Sequence, residues 1–274
     1  MTETRQNPRL ACLEVRGGNE RARYAIQLPG ISAWVCCRPI TPSVRGGDLH
    51  YFSVCSHGFV SRIALADVAG HGDLVSAIAD RLRIVLRKNS DAWDQSDVVR
   101  ELNDAFMTNA SGALEYATAV VLSHYSESGE MLFTNAGHLP PLWYRAETKE
   151  WNFLLESTPY AKQVTDLPLG LISGTPYSQT AVELRPDDLL VMYTDGVTDS
   201  MGEHGKPLDK DGLLAIARSA PLGPAAEIGP ALVAGLEAFR GTNPVEDDET
   251  FVVLQCVPRS PDDLWPGSVT QLAL

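Results

Sequence analysis

Short apolar runs, some alternating with polar residues and some continuous, mark the first third of the chain. Ile31–Cys37, Leu49–Cys55 and Arg62–Asp67 read as strands. The period then changes. Leu74, Ile78, Leu82 and Leu86 recur at every fourth position, which places them on one buried helical stripe. Ser96–Ala110 continues the helical pattern through Val98, Val99, Leu102, Ala105 and Phe106, with Ser96 as its expected N-cap and Asp97 in its first turn. Strands return at Ala117–Tyr125 and Glu130–Ala136, joined by the hairpin residues Ser126-Glu127-Ser128-Gly129. Leu142–Arg145, Trp151–Leu155, Tyr177–Leu184 and Leu189–Thr194 extend the series. Gly212–Ser219 and Ala225–Arg240 read as helices, the second weakened near its start by Pro230, and Thr250–Val257 closes as an apolar strand. Consecutive strands joined by tight turns pair antiparallel, so the expected class is α+β rather than a βαβ repeat. No segment has linker composition, which favours one domain.

Composition changes this picture only by exclusion. The 274 residues are 44% apolar and 21% charged, the balance of a folded globular chain. A net charge of −13 argues against nucleic acid and against an anionic membrane as partners. The five cysteines form no Cys-x-x-Cys pair, which points away from a zinc ribbon or disulfide scaffold and toward a reducing compartment. The first residues lack the apolar core of a signal peptide, and the expected location is the cytoplasm.

The candidate chemistry lies in four acids that share one context. Asp48 ends Gly46-Gly47-Asp48 just before a strand, and Asp67 ends one. Asp195 follows Leu189–Thr194 and precedes Gly196, and Asp247 and Asp248 precede the strand that closes the chain. A single Asp-Gly is more often a turn than a ligand. Four acids at strand ends are different: brought together they repel unless cations neutralise them. Oxygen ligands without His or Cys suit Mg²⁺ or Mn²⁺ rather than Zn²⁺.

Six segments then occur in a familiar order. They are Arg45-Gly46-Gly47-Asp48, Asp67-Val68-Ala69-Gly70-His71-Gly72, Thr134-Asn135-Ala136-Gly137-His138-Leu139-Pro140-Pro141, Leu167-Pro168-Leu169-Gly170, Tyr193-Thr194-Asp195-Gly196 and Asp247-Asp248-Glu249-Thr250. Together they resemble the SpoIIE/RsbU-like branch of the PPM (PP2C-type) metal-dependent Ser/Thr protein phosphatases. The resemblance implies a four-layer α-β-β-α sandwich with two central antiparallel sheets. It places a phosphatase domain at residues 26–258, after a short extension at 1–25 and before a tail at 259–274. It also implies two Mn²⁺ or Mg²⁺ ions. Asp67 would bridge them, the Val68 carbonyl would ligate the second, Asp195 and Asp247 would complete the first, and Asp48 would stand near the second. Asp248 is a candidate for a place just behind the ligands. His71 is either a loop histidine or a proton source for the leaving group.

The implied activity is hydrolysis of phosphoserine or phosphothreonine by a metal-activated water. The implied substrate is a phosphorylated STAS-domain anti-sigma antagonist of a partner-switching pathway, with a separate regulatory protein docking on the helices. After Asp48 many members of that family carry an aromatic pair and another Asp, whereas Leu49, His50 and Tyr51 stand here. That departure is the ground for an alternative: a catalytically inactive module of the same fold that binds a phosphoprotein. A phosphohydrolase of small phosphoesters is a third reading. For a folded substrate, the mixed-charge segments Ala146–Val164 and Met201–Asp209 are the expected docking loops.

Overall fold

The computed structural model describes residues 8–69, 73–107, 115–154 and 166–258. Its strands are β1 (Val15–Glu20), β2 (Ala22–Leu28), β3 (Ile31–Arg38), β4 (Arg45–Val54), β5 (Val60–Val68), β6 (Ala117–Tyr125), β7 (Glu130–Ala136), β8 (Leu142–Arg145), β9 (Glu150–Phe153), β10 (Thr180–Glu183), β11 (Leu189–Tyr193) and β12 (Glu249–Cys256). Its helices are α1 (Asp73–Lys88), α2 (Gln95–Met107), α3 (Asp195–Thr198), α4 (Asp209–Ser219) and α5 (Ala225–Arg240).

Two antiparallel sheets face each other, ordered β1-β4-β5-β6-β7-β10 and β2-β3-β12-β11-β8-β9. One apolar cluster lies between them, with Val35, Val252 and Met192 from one sheet against Phe52, Ile63 and Leu122 from the other. A second cluster joins Leu49, Tyr51 and Ala64 to Ile78 and Leu82 of α1 and Val98 and Leu102 of α2. A third joins Trp34, Val191 and Val253 to Leu213 of α4 and Ile228 and Leu232 of α5. The layers are therefore helix, sheet, sheet, helix. Strands buried on both faces favour apolar residues on both, which is why β3 and the Phe251–Leu254 stretch of β12 read as near-continuous runs rather than alternations. At Gly229 a Cβ would stand 2.1 Å from the Trp34 ring, so this glycine lets α5 lie close on β3.

Several elements differ from expectation. The edge strands β1 and β2 carry Gly17, Gly18 and three charged residues in exposed or half-buried positions, so no apolar run announces them. Because they belong to the sheets, the boundary expected at Ile26 falls inside β2, and the sandwich begins at Val15. The strand expected over Tyr177–Leu184 shortens to β10, another edge. Helix α2 starts at Gln95, not after a Ser96 cap, because the Asp94 carboxylate takes the Ser96 amide at 2.8 Å. Helix α5 runs through Pro230 as one piece, and the half-turn α3 was not foreseen. Most of the expected docking loop 146–164 lies outside the described residues, as does the end of the helix expected to reach Ala110. Among the described residues no helix is long and apolar enough to cross a membrane.

Candidate metal centre

Strand pairing carries the acids to one end of the sandwich. In the first sheet Asp48 and Asp67 are direct partners across β4 and β5. In the second, Tyr193 at the end of β11 pairs with Phe251 near the start of β12. Asp195, which opens α3, and Asp247, two residues before β12, therefore flank the same edge. Asp48 is buried, Asp67 half-buried, and Asp195 and Asp247 are exposed at the rim.

These carboxyls act on one another. Asp67 shares a hydrogen bond with the Asp195 carboxyl and also faces the charges of Asp247 and Asp248. Burial first, and then Asp195 and Asp247, push the Asp67 pKa up to about 8. Asp48 is pushed well above the usual carboxylate range by burial and then by the Asp67 charge. Its Oδ2 accepts the Thr194 hydroxyl at 2.7 Å, and the same Thr194 oxygen accepts the Thr250 amide at 3.0 Å. Thr194 thus links β12 and β11 to the buried acid of the other sheet.

Asp248 is spent on the backbone. Its carboxylate accepts the Ile40 and Gly47 amides, each at 2.7 Å, and so pins the Gly46-Gly47-Asp48 segment to the start of β12. The two adjacent glycines make this approach feasible. A Cβ on Gly46 would stand 2.3 Å from Asp248 Oδ2, and one on Gly196 would stand 2.1 Å from the Asp248 carbonyl oxygen. Next along the strand, the buried Glu249 carboxylate joins Arg38 at 2.7 Å and also pairs with Arg240.

His138 has a positioning role that its motif alone did not disclose. Its Nε2 donates to the Tyr193 carbonyl at 3.1 Å, which leaves Nδ1 to accept the Thr118 hydroxyl at 2.7 Å. Thr118 is the β6 partner of Asp67. The ring therefore ties the strand beside Asp67 to the strand that ends at Asp195. Burial lowers its pKa to about 4, so the ring is neutral and the tautomer is set by these two bonds. Val68 is the buried last residue of β5. His71 lies outside the described residues.

Hard divalent cations fit this donor set. The acids supply oxygen only, and among the described residues Asp48, Asp67 and Asp195 have no Lys or Arg partner within ion-pair distance. An elevated pKa on a half-buried Asp without a cationic neighbour is what divalent charge would reverse. Among the described residues, no three His, Cys, Asp or Glu side chains stand close enough together to hold one ion.

Comparison with known proteins follows the same lines. The model of the family "Stage II sporulation protein E (SpoIIE)" matches residues 59–257. The phosphoserine phosphatase RsbP of Bacillus subtilis is 24% identical over 217 residues, which are 77% of this chain and 49% of RsbP. This chain thus spans about half the length of that relative. The structure of the RsbU and RsbW domains of Rv1364c from Mycobacterium tuberculosis superimposes with a TM-score of 0.68 at 24% identity, covering 85% of this chain and 62% of that one. The catalytic domain of the serine/threonine protein phosphatase PstP, solved with two manganese ions, gives a TM-score of 0.58 at 15% identity over 83% of this chain and 99% of that one. Both structural likenesses are likenesses of fold.

Proposed function

The chain belongs to the SpoIIE family, and from that premise we propose that it is a metal-dependent phosphatase of phosphoserine and phosphothreonine in proteins, with residues 15–258 as the catalytic unit. The observation that carries this reading is the meeting of Asp48, Asp67, Asp195 and Asp247 at one end of the sandwich. Asp48, Asp67, the Val68 carbonyl, Asp195 and Asp247 would hold the Mn²⁺ or Mg²⁺ ions. Such ions, when bound, neutralise the phosphate dianion and lower the pKa of water enough to make hydroxide available near neutrality.

The remaining work falls to the chain. Asp67, its pKa raised by burial and by the Asp195 and Asp247 charges, has to lose its proton before it can act as an anionic ligand. Asp248 holds the Gly47 amide, and Thr194 holds Asp48 Oδ2, so the Asp48 side chain keeps one orientation. Neutral His138 ties β6 of one sheet to β11 of the other without adding a positive charge that would compete with the ions. Thr194→Val keeps the volume but removes the hydroxyl. It is expected to weaken Mn²⁺ binding by about 10–100-fold, the usual effect of losing a partner that orients a ligand. Calorimetric titration with Mn²⁺ and far-UV circular dichroism check this. Unchanged affinity in a folded variant would show that Thr194 does not support the site.

The substrate we propose is a phosphorylated STAS-type anti-sigma antagonist, in keeping with the likeness to RsbP, with a separate protein as regulator. Two ions confer little selectivity among serines, so a folded substrate must be recognised by surface around the acids. The test is kcat/KM on a phosphorylated STAS protein from the same genome beside its derived phosphopeptide. The folded substrate is expected to be preferred at least about tenfold, activity to vanish in EDTA, and activity to return best with Mn²⁺. Equal values for protein and peptide would remove the docking argument. Metal binding without phosphate release would favour the non-catalytic module.

A further inference from the structure

A side edge of the sandwich holds a cavity of about 550 Å³. It lies between β1, the outer strand of one sheet, and β2, the outer strand of the other. The β1–β4 register shifts between Gly18 and Glu20, a bulge that bends this edge. Asn19 at the bulge is buried and donates to the Gly46 carbonyl at 3.0 Å.

The lining contradicts the charge of the chain. In a protein of net charge −13, Arg16, Arg21, Arg45 and Arg83 meet at this one cavity, with Glu20 as the lone acid among its described residues. Arg45 is committed to Glu20 at 3.1 Å and Asp80 at 2.9 Å. Among the described residues Arg21 reaches the Pro39 carbonyl, at 3.3 Å, and Arg83 the Gly17 carbonyl, at 3.4 Å. Among the described residues no carboxylate stands within ion-pair distance of Arg16, Arg21 or Arg83. Arg16 and Arg21 are exposed and Arg83 is half-buried, so water solvates them, and an anion seated in the hollow would meet all three.

The inner wall has a different character. Tyr24 and His50 set their rings 5.8 Å apart beside Ile26. His50 is 2% exposed, its Nε2 meets the Tyr24 hydroxyl at 3.1 Å, and its buried Nδ1 has no hydrogen-bond partner. A buried polar atom without a partner is costly unless something completes it.

We infer that this cavity binds a small organic anion, in which a phosphate or carboxylate group is carried on a planar body. The guanidinium forks match the two or three oxygens of either group. Tyr24, half-buried and lining the cavity, offers its ring to the body. The volume suits a ligand of mononucleotide size. None of the proposed metal ligands lines the cavity, although Arg45 stands three residues before Asp48 on β4.

The test is calorimetric titration of the full chain in EDTA, so that phosphate cannot report on bound metal. The probes are adenosine 5′-monophosphate, 4-hydroxybenzoate and inorganic phosphate. One of the two organic anions is expected to bind with Kd below about 1 mM, and more tightly than inorganic phosphate. The arm that binds tells phosphate from carboxylate. Arg16→Ala combined with Arg83→Ala should weaken that binding about tenfold or more at unchanged Tm, while Asp195→Asn should leave it intact. No binding by any probe, binding indifferent to both arginines, or binding lost with Asp195→Asn would overturn the inference.

Discussion

Asp67→Asn is expected to raise the melting temperature of the metal-free protein at pH 8.5 and to remove turnover by on the order of 10³-fold. The two effects have one cause. Burial and the charges of Asp195 and Asp247 raise the Asp67 carboxyl from 3.8 in the unfolded chain to about 8 in the folded one. For a group raised in this way, the stability it contributes is fully present below pH 3.8 and is lost as pH climbs through about 8. Asparagine keeps the shape and the hydrogen bond to Asp195 but never carries the charge, so above pH 8 it escapes that loss. The same charge is what would hold an ion between Asp67 and Asp195. Thermal melts in EDTA, a Mn²⁺ titration and steady-state turnover decide the matter. A variant with lowered Tm and wild-type turnover would show that Asp67 is an ordinary turn acid.

The second large effect is acid destabilisation by buried histidines. His50, His124 and His138 are each lowered by burial from 6.5 to about 4. The unfolded chain therefore takes up three protons below pH 6.5 that the folded chain refuses, and stability is lost as pH falls toward 4. Around pH 5 the slope from these three alone is up to about 4 kcal/mol per pH unit. Asp67 and Asp48 act in the opposite sense over that range, because their folded forms hold protons that the unfolded chain releases. The metal-free protein is accordingly expected to be most stable near pH 6.5, losing stability on the acid side to the histidines and on the alkaline side to the two acids. Excess Mn²⁺ should flatten the alkaline limb and leave the acid limb steeper. Urea unfolding at half-unit pH intervals, with EDTA or Mn²⁺, would read this directly. An alkaline limb unmoved by Mn²⁺ would argue that no ion replaces the protons at Asp67 and Asp48.

Elements were legible in proportion to how many faces they bury. Strands β3, β4, β5 and β12 lie inside the sandwich, so their apolar runs were visible within a few residues of their true ends. Helices α1 and α5 announced themselves by one buried stripe each. Strands β1, β2 and β10 sit at sheet edges, where half the positions face water, and β1 reads Val-Arg-Gly-Gly-Asn-Glu. No local pattern marks such a strand, because its neighbours rather than its side chains make it extended. The cap of α2 was missed by two residues because Asp94 and Ser96 are both good caps, and only the folded geometry chooses between them.

The candidate site divides the same way. Asp48, Asp67, Asp195 and Asp247 were legible as acids at strand ends, since strand, glycine and carboxylate are all local signals. What the residues around them do was not. Asp248 was expected just behind the other acids, but sequence did not show that it holds two amides more than two hundred residues away. Thr194 and His138 gain their roles only because β11 lies opposite β4 and β6 across the sandwich. The arginine-lined cavity is likewise assembled from β1, β2, β4 and α1. Sequence by itself determined the elements buried on two faces and the oxygen-only, acidic character of the candidate site, because period, turn chemistry and side-chain type are written within a few residues. The tertiary structure alone decided which acids meet, which are braced and which guanidiniums go unpaired, because those depend on the register of strands that the chain brings together from its two ends.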